Sequence, residues 1–476
     1  MGIGWLAFFF LIPLLYLIEK KKPWASLRIF FAFAFTANII LLYWIPRVMV
    51  KYGQTSTFLG VVGLLALAVY LALYTGLAGL AIRLCCRHDE RLMVLIPFIW
   101  VAKDLLIEKA ISGFPWCLVG YSQYKNLWFV QSAEIGGIHL ISFWVILVNV
   151  LLYRLIKTRR KALACWTLLF FLALNGLGYA LLRSSVSRIQ GIPVHTVGII
   201  QPNSNHDQPF TPGIIRQGMA ELFASSKILA AGGAELVIWP EFTVPIYPLQ
   251  NPFYLSQIRQ FSQEQVPILA GFTDFQNHEN VFNSAILFQP DRIEKYDKVH
   301  LTPFGEYVLF RKWLFFVRKI TDEIGDFTPG KTLHNLEFEG HRLAVPICYE
   351  IIFPELVRRF VSRGSDVIIT ISNDSWFGKT SAPYQHLAMA TMRGIENRRY
   401  VLRATSNGIS ALVSPQGRIL YQTGLATKES FLAKFRYLNH QTLFTRGGYL
   451  FPYFCWLVCL FWPLVFSRLH GQRSIS

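Results

Sequence analysis

The chain has 476 residues, of which 53% are hydrophobic and 16% charged, and its net charge is +18; a soluble chain of this size carries about a quarter charged residues. Disorder, a collagen-like repeat and a disulfide-stapled miniprotein are excluded. The apolar excess is concentrated in residues 1–182 and 448–467, whereas 188–445 has the mixed composition of a globular domain.

A helix needs about 20 apolar residues to cross a bilayer. In chain order that predicts spans at Met1–Ile18, Leu27–Pro46, Phe58–Leu84, Leu92–Ile107, Ile138–Ile156, Ala162–Leu182 and Tyr449–Phe466. The first six make an N-terminal bundle over 1–182, and the last is a C-terminal helix within 448–467. Met1–Ile18 has no basic leader and no small-residue cleavage site, so it reads as a retained span. Lys20, Lys21, Lys22 and Arg28 flank the first link, Arg83, Arg87 and Arg91 the third, and Arg154, Lys157, Arg159, Arg160 and Lys161 the fifth. The positive-inside rule places those links in the cytoplasm, so the N-terminus and residues 188–445 lie on the other side. Much of the positive surplus sits beside spans, and no RNA- or DNA-binding motif accompanies it, so nucleic acid is not an expected partner. The run Phe114–Tyr121 reads as an interfacial aromatic belt or as the floor of a lipid-facing site.

Between 190 and 440, strand-like runs (His195–Gln201, Glu235–Trp239, Pro267–Phe272, Ser284–Phe288, Leu343–Cys348, Asp366–Ser372, Tyr400–Thr405, Ala411–Ser414) alternate with helix-like ones (Gly213–Ala231, Tyr254–Gln263, Pro354–Ser362, Gln385–Arg398). Such alternation predicts an α/β layered domain. Of seven cysteines, only Cys348 falls in it. It follows the apolar run Leu343–Ile347 and precedes Tyr349 and Glu350. A thiol entering a turn beyond a strand end has backbone N–H groups that favour an anion, which makes Cys348 a candidate nucleophile exposed at a sheet edge; the alternative is a small buried hydrophobe. Glu241 stands just past Leu236–Pro240, and Lys298 lies in Lys295–Leu301, ahead of Glu306. The imidazoles of His206, His300 and His386 have no metal-ligand spacing, and no glycine-rich phosphate loop is present, so neither metal nor cofactor is expected. Asn373 and Asp374 read as turn-shaping residues.

The order Glu241, Lys298, Cys348 resembles the Glu–Lys–Cys triad of the nitrilase superfamily of carbon–nitrogen hydrolases. Ile371–Gly378, Gln385-His386, Met392-Arg393, Leu402–Gly408, Phe114-Pro115-Trp116 with Gly120–Gln123, and Tyr74-Thr75-Gly76 narrow it to a resemblance to the apolipoprotein N-acyltransferases. That resemblance implies a polytopic helical membrane bundle carrying an α/β nitrilase-like domain, an αββα sandwich, over 188–445. It implies an acyltransferase that moves a fatty acyl chain from a phospholipid, through a thioester on Cys348, to the α-amine of a diacylglyceryl-cysteine lipoprotein, the last step of lipoprotein maturation. Glu241 would be the base and Lys298 the oxyanion partner. Glu306 would position Lys298, a backbone N–H near Tyr349 would complete the hole, and Glu350 would lie beside the nucleophile. The protein is expected as a monomer in a cell inner membrane, its catalytic domain in the periplasm, in contact with membrane lipids. The family usually has a further span ahead of these seven, and often Trp near Phe210. Tyr307–Val317 reads as a membrane-dipping arm or lid, or as core. Other readings are a membrane-tethered amidase with water as acceptor, and a transporter with a binding domain, which would call for paired intramembrane charges or inverted repeats.

Overall fold

The computed structural model describes residues 4–51, 55–86, 89–204, 211–276, 280–307 and 327–471. The chain divides into two compact units: Met1–Tyr43, Val61–Ser184 and Thr442–Ser476 form one, Trp44–Gly60 and Ser185–Gln441 the other. Its first helices are α1 (Leu11–Ile18), α2 (Pro23–Leu41), α3 (Ile45–Lys51), α4 (Thr57–Cys86), α5 (Ile96–Lys109), α6 (Ala133–Thr158) and α7 (Lys161–Arg188). There follow β1 (His195–Gln201), α8 (Pro212–Ala231), β2 (Leu236–Glu241), α9 (Pro252–Glu264), β3 (Ile268–Gln276), β4 (Asn280–Phe288), β5 (Ile293–Asp297), β6 (Leu336–Phe338), β7 (His341–Ala344), α10 (Pro354–Ser362), β8 (Val367–Ser372), α11 (Ala382–Asn397), β9 (Val401–Thr405), β10 (Ala411–Val413), β11 (Ile419–Gln422) and β12 (Glu429–Phe435). The short α12 (Leu443–Gly447) and α13 (Leu450–Gly471) close the chain.

In the helical unit, α2, α4, the stretch Phe129–Thr158 and α7 are the helices among the described residues long and apolar enough to cross a membrane. Seven spans were expected. The first folds as a 3₁₀ turn, Gly4–Phe8, followed by the eight-residue α1. The fourth is the 14-residue α5, which carries Lys103, Asp104, Glu108 and Lys109. Large apolar side chains on α4 and α7, among them Phe58, Leu73, Leu77, Trp166, Leu168 and Leu172, stand exposed, as lipid-facing positions do and a water-facing surface of this extent does not. The interruption before α1 is answered by Asn149 on α6: its Oδ1 accepts from Leu11 N at 2.9 Å and its Nδ2 donates to Ala7 O at 2.8 Å. Backbone groups with no water to bond need such internal partners.

The second unit contains two six-stranded sheets among its described residues, in the orders β12-β1-β2-β3-β4-β5 and β11-β10-β9-β8-β7-β6. In each, three neighbouring strands run parallel: β1, β2 and β3 in one, β7, β8 and β9 in the other. Strands β2, β8 and β9 are buried along their whole length. They pack between the facing sheet and outer helices, which is why β2 and most of β8 read as apolar runs rather than alternating ones, whereas β9 carries the buried Arg403. Helices α8 and α9 cover the first sheet, and α10 and α11 the second. The result is the αββα sandwich. Strands β5, β6, β11 and β12 add to the expected set; they lie at sheet edges, and β11 and β12 carry polar, partly exposed residues that weaken the apolar signal. His206, Phe210 and the arm beyond Tyr307 lie outside the described residues.

Candidate active site

The carboxyl ends of parallel strands from the two facing sheets meet, the position where α/β sheets hold their ligands. Glu241 is the last residue of β2. Gly271 on β3 lets the β2 backbone approach: a Cβ there would lie 2.6 Å from Glu241 Cα. The Glu241 carboxylate accepts from Asn283 Nδ2 on β4 and from the backbone N–H of Asn373 beyond β8, both at 2.7 Å. Lys298 follows β5, its backbone N–H bonded to Asn283 O at 2.9 Å. Its ammonium is 2.8 Å from Glu306 Oε2 and 3.9 Å from Glu241 Oε1, and it donates to Thr302 Oγ1 at 3.3 Å. Asn283 Nδ2 also donates to Glu306 Oε1 at 2.6 Å, so one amide spaces the two carboxylates on either side of a single cation.

Strand β7 ends at Ala344, short of the expected strand end at Cys348. Residues 345–347 continue with one bridge, Ile347 to Ile371, and Cys348 opens a 3₁₀ turn, Cys348–Ile352, with φ at +50°. The expected exposed thiol is instead buried, 9% exposed, with Ser372 against its sulfur and His386 against its carbonyl. The Glu350 carboxylate holds the turn: it accepts from Ile347 N (2.8 Å), Val299 N (2.8 Å), His300 N (3.0 Å) and Tyr296 OH (2.9 Å). One side chain therefore ties the Cys348 turn to the Lys298 segment. Tyr349 is buried beside it, its ring against those of His300 and Phe353.

The electrostatics follow from burial. Desolvation, helped by Glu241, pushes the Cys348 thiol well up, while Lys298 pulls it down. Desolvation likewise raises Glu241 above the usual carboxylate range, against the pull of Lys298. Burial would lower Lys298, but Glu306 and Glu241 outweigh it and raise it. A neutral thiol, a carboxylate with increased proton affinity and a fixed ammonium are therefore juxtaposed, which equips the site for nucleophilic attack by sulfur, proton transfer through Glu241 and anion stabilisation by Lys298. The described residues hold no group of three or more His, Cys, Asp or Glu side chains arranged to ligate a metal.

Two residues that touch the site went unremarked in the sequence, Asn283 and the role of Ser372, whose Oγ lies 3.3 Å from Cys348 Sγ. Both are polar positions in buried strand segments, Asn283 within β4 and Ser372 at the end of β8. Asn373 does shape a turn, its Oδ1 accepting from Ser375 N at 3.2 Å; its own N–H also holds Glu241.

Comparison with known proteins accords with this geometry. A family model described as carbon–nitrogen hydrolase matches residues 196–436, and one described as the apolipoprotein N-acyltransferase N-terminal domain matches residues 1–151. The chain is 34% identical to the apolipoprotein N-acyltransferase of Geobacter metallireducens over 95% of its own length and 88% of that protein. It is 33% identical to that of Pseudomonas putida, over 80% of this chain and 76% of the other. With that of Azotobacter vinelandii the identity is 32%, over 86% and 80%.

Proposed function

The chain belongs to the apolipoprotein N-acyltransferase family, and from that premise we propose how its own residues carry out the acyl transfer. It is a membrane protein and an acyltransferase that N-acylates lipoproteins. A phospholipid donates the acyl chain and a diacylglyceryl lipoprotein accepts it. We assign 1–182 to the N-terminal membrane bundle, 188–445 to the catalytic domain and 448–467 to a C-terminal membrane helix. The basic links between spans support a periplasmic catalytic domain. The protein acts as a monomer and without nucleic acid.

In the first half-reaction Glu241 takes the Cys348 proton, and the sulfur attacks the ester carbonyl of the phospholipid. The oxyanion forms beside the Lys298 ammonium, with a backbone N–H near Tyr349 as second donor. The C–O bond then breaks, Glu241 returns its proton to the departing alkoxide, and a lysophospholipid leaves a thioester on Cys348. In the second half-reaction the lipoprotein's α-amine attacks the thioester, Glu241 accepts an amine proton, and the C–S bond breaks with its electron pair on sulfur. The proton passes back to the thiolate and the amide departs. Glu306 keeps Lys298 charged and aimed. Glu350 fixes the turn on which Cys348 sits.

The observation that carries this reading is the convergence of Glu241, Lys298 and Cys348 in one buried cluster. The test incubates purified protein with acyl-labelled phospholipid and no acceptor. Label is expected on the protein through a hydroxylamine-sensitive bond, absent in Cys348→Ala, and discharged as an amide by a diacylated lipopeptide. Release as free fatty acid with no amide would identify a hydrolase and overturn the transferase reading.

A further inference from the structure

A second polar cluster reaches Cys348 from β8 and closes a ring that begins and ends on that residue. Ser372, the last residue of β8, is fully buried, with Oγ 3.3 Å from Cys348 Sγ and 2.7 Å from Asp374 Oδ1. The other oxygen of Asp374 accepts from Arg403 Nη2 on β9 at 2.7 Å. The same Nη2 lies 3.1 Å from His386 Nδ1 on α11, and His386 Nε2 is 3.2 Å from the carbonyl oxygen of Cys348 itself. Asp374, His386 and Arg403 are all fully buried.

The protons in this ring are decided by what each group can do. The Cys348 carbonyl only accepts, so His386 Nε2 carries a proton; Nδ1 faces Arg403 Nη2, which only donates, at 3.1 Å and Asp374 Oδ1 at a longer 3.3 Å, and as an acceptor it takes the shorter contact. Burial, and then Arg403, lower the proton affinity of His386, which keeps it in that neutral form. Burial would raise Asp374, but the Arg403 guanidinium outweighs it, and with the Ser372 hydroxyl holds the carboxyl well below the usual range. Ser372 is left with one hydroxyl proton and two acceptors. While the sulfur is a neutral thiol, the carboxylate takes that proton, and the Ser372 lone pair faces the thiol. Once the sulfur carries charge, rotation about the Cβ–Oγ bond brings the same proton onto it.

We propose that Ser372 is a switchable hydrogen-bond donor to the Cys348 sulfur, with Asp374, His386 and Arg403 as its positioning residues. The inference rests on the reading of Cys348 as the acyl-carrying nucleophile. The sulfur is anionic twice in each turnover, when its proton has moved to Glu241 and when the C–S bond of the thioester breaks. Ser372 serves both moments, and it neither gains nor loses a proton overall. His386 holds the carbonyl of a residue in a left-handed backbone conformation, so the ring fixes the nucleophile's main chain as well as its sulfur.

The test measures alkylation of Cys348 by iodoacetamide against pH in the full-length protein, read by mass on the Cys348 peptide, together with the rates of acylation by phospholipid and discharge by lipopeptide. The charged groups acting on the sulfur are Glu241 from β2, Lys298 after β5 and Asp374 after β8; Ser372→Ala leaves all of them in place. The expected result is an alkylation midpoint raised by about one pH unit, with both half-reactions slowed about tenfold and KM for lipid unchanged. Ser372→Thr, which keeps the hydroxyl, restores the wild-type profile. A Ser372→Ala midpoint that coincides with wild type overturns the proposal even where activity falls, since packing alone then accounts for the loss. A wild-type protein that never accumulates acyl-enzyme overturns the functional reading instead, and the alkylation profile still decides the role of Ser372.

Discussion

Cys348 holds φ at +50°, a conformation that costs a residue with a Cβ about 1 kcal/mol or more, and the surrounding bonds keep it there. Glu350 is the strongest of those constraints, with four donors on one buried carboxylate. Burial still pushes that carboxyl up to about 7, the donors pulling against it. A group that binds its proton more readily in the folded state contributes stability that is fully present below its ordinary value of 4.5 and is lost as pH rises through about 7. Wild type should therefore gain melting temperature relative to Glu350→Gln, which cannot titrate, as the buffer goes from about pH 8 to about pH 5. Parallel curves for the two proteins would count against it. Gly408 offers a second residue-scale test. A Cβ there would stand 2.3 Å from Asp374 Oδ2, so Gly408→Ala has to displace the carboxylate that orients Ser372. Acyl-enzyme formation in that variant is expected to fall about tenfold or more while the melting temperature drops only a few degrees.

Strand β4 shows how an element positions chemistry it does not itself perform. Its register against β3 and β5 places Asn283 opposite Thr273, with its amide between Glu241 and Glu306. Asn283→Ala removes a donor from the Glu241 carboxylate, which raises that group's proton affinity further. The acidic limb of the pH–rate profile should then move to higher pH, and kcat should fall about 10- to 100-fold; a limb that stays in place would mean that Asn283 only packs. The central strands were legible in the sequence because a run such as Leu236–Glu241 or Val367–Ser372 is mostly apolar and ends in a polar, chemistry-bearing residue. Helix α10 was legible to the residue, opened by Pro354 at its first position. The Glu241, Lys298 and Cys348 positions could be read from motif order. The ring through Ser372, Asp374, His386 and Arg403 could not be read as a ring, since it joins residues from β8, α11 and β9 that periodicity alone cannot bring together. The burial of Cys348 was missed for a related reason: a strand-end pattern says nothing of the β8 and α11 side chains, Ser372 and His386, that lie against it.

At the scale of the whole chain, the catalytic unit is not one continuous stretch. Residues 44–60, which include α3 and the first residues of α4, belong with 185–441 rather than with α2 and the rest of α4. Trp44 carries that association. It is 3% exposed, its Nε1 donates to Gln385 Oε1 at 3.1 Å, and its ring meets Phe377 edge-on at 5.1 Å. Gln385 precedes His386, and Phe377 ends the turn that begins at Asp374, so this stretch abuts the turn whose Asp374 accepts from Ser372. Losing a buried tryptophan costs about 3–5 kcal/mol where the site cannot collapse, and here the loss would fall on that turn first. Lys379 lies exposed just beyond Gly378 and gives a direct readout. Trypsin should cleave after Lys379 at least about tenfold faster in full-length Trp44→Ala than in wild type, because local opening of the 374–381 turn becomes less costly. Cleavage at an unchanged rate would mean that the turn is held from within 185–441 alone. In that case a piece beginning at residue 185 should retain a properly set Cys348; with accelerated cleavage, any such piece lacks part of its own site.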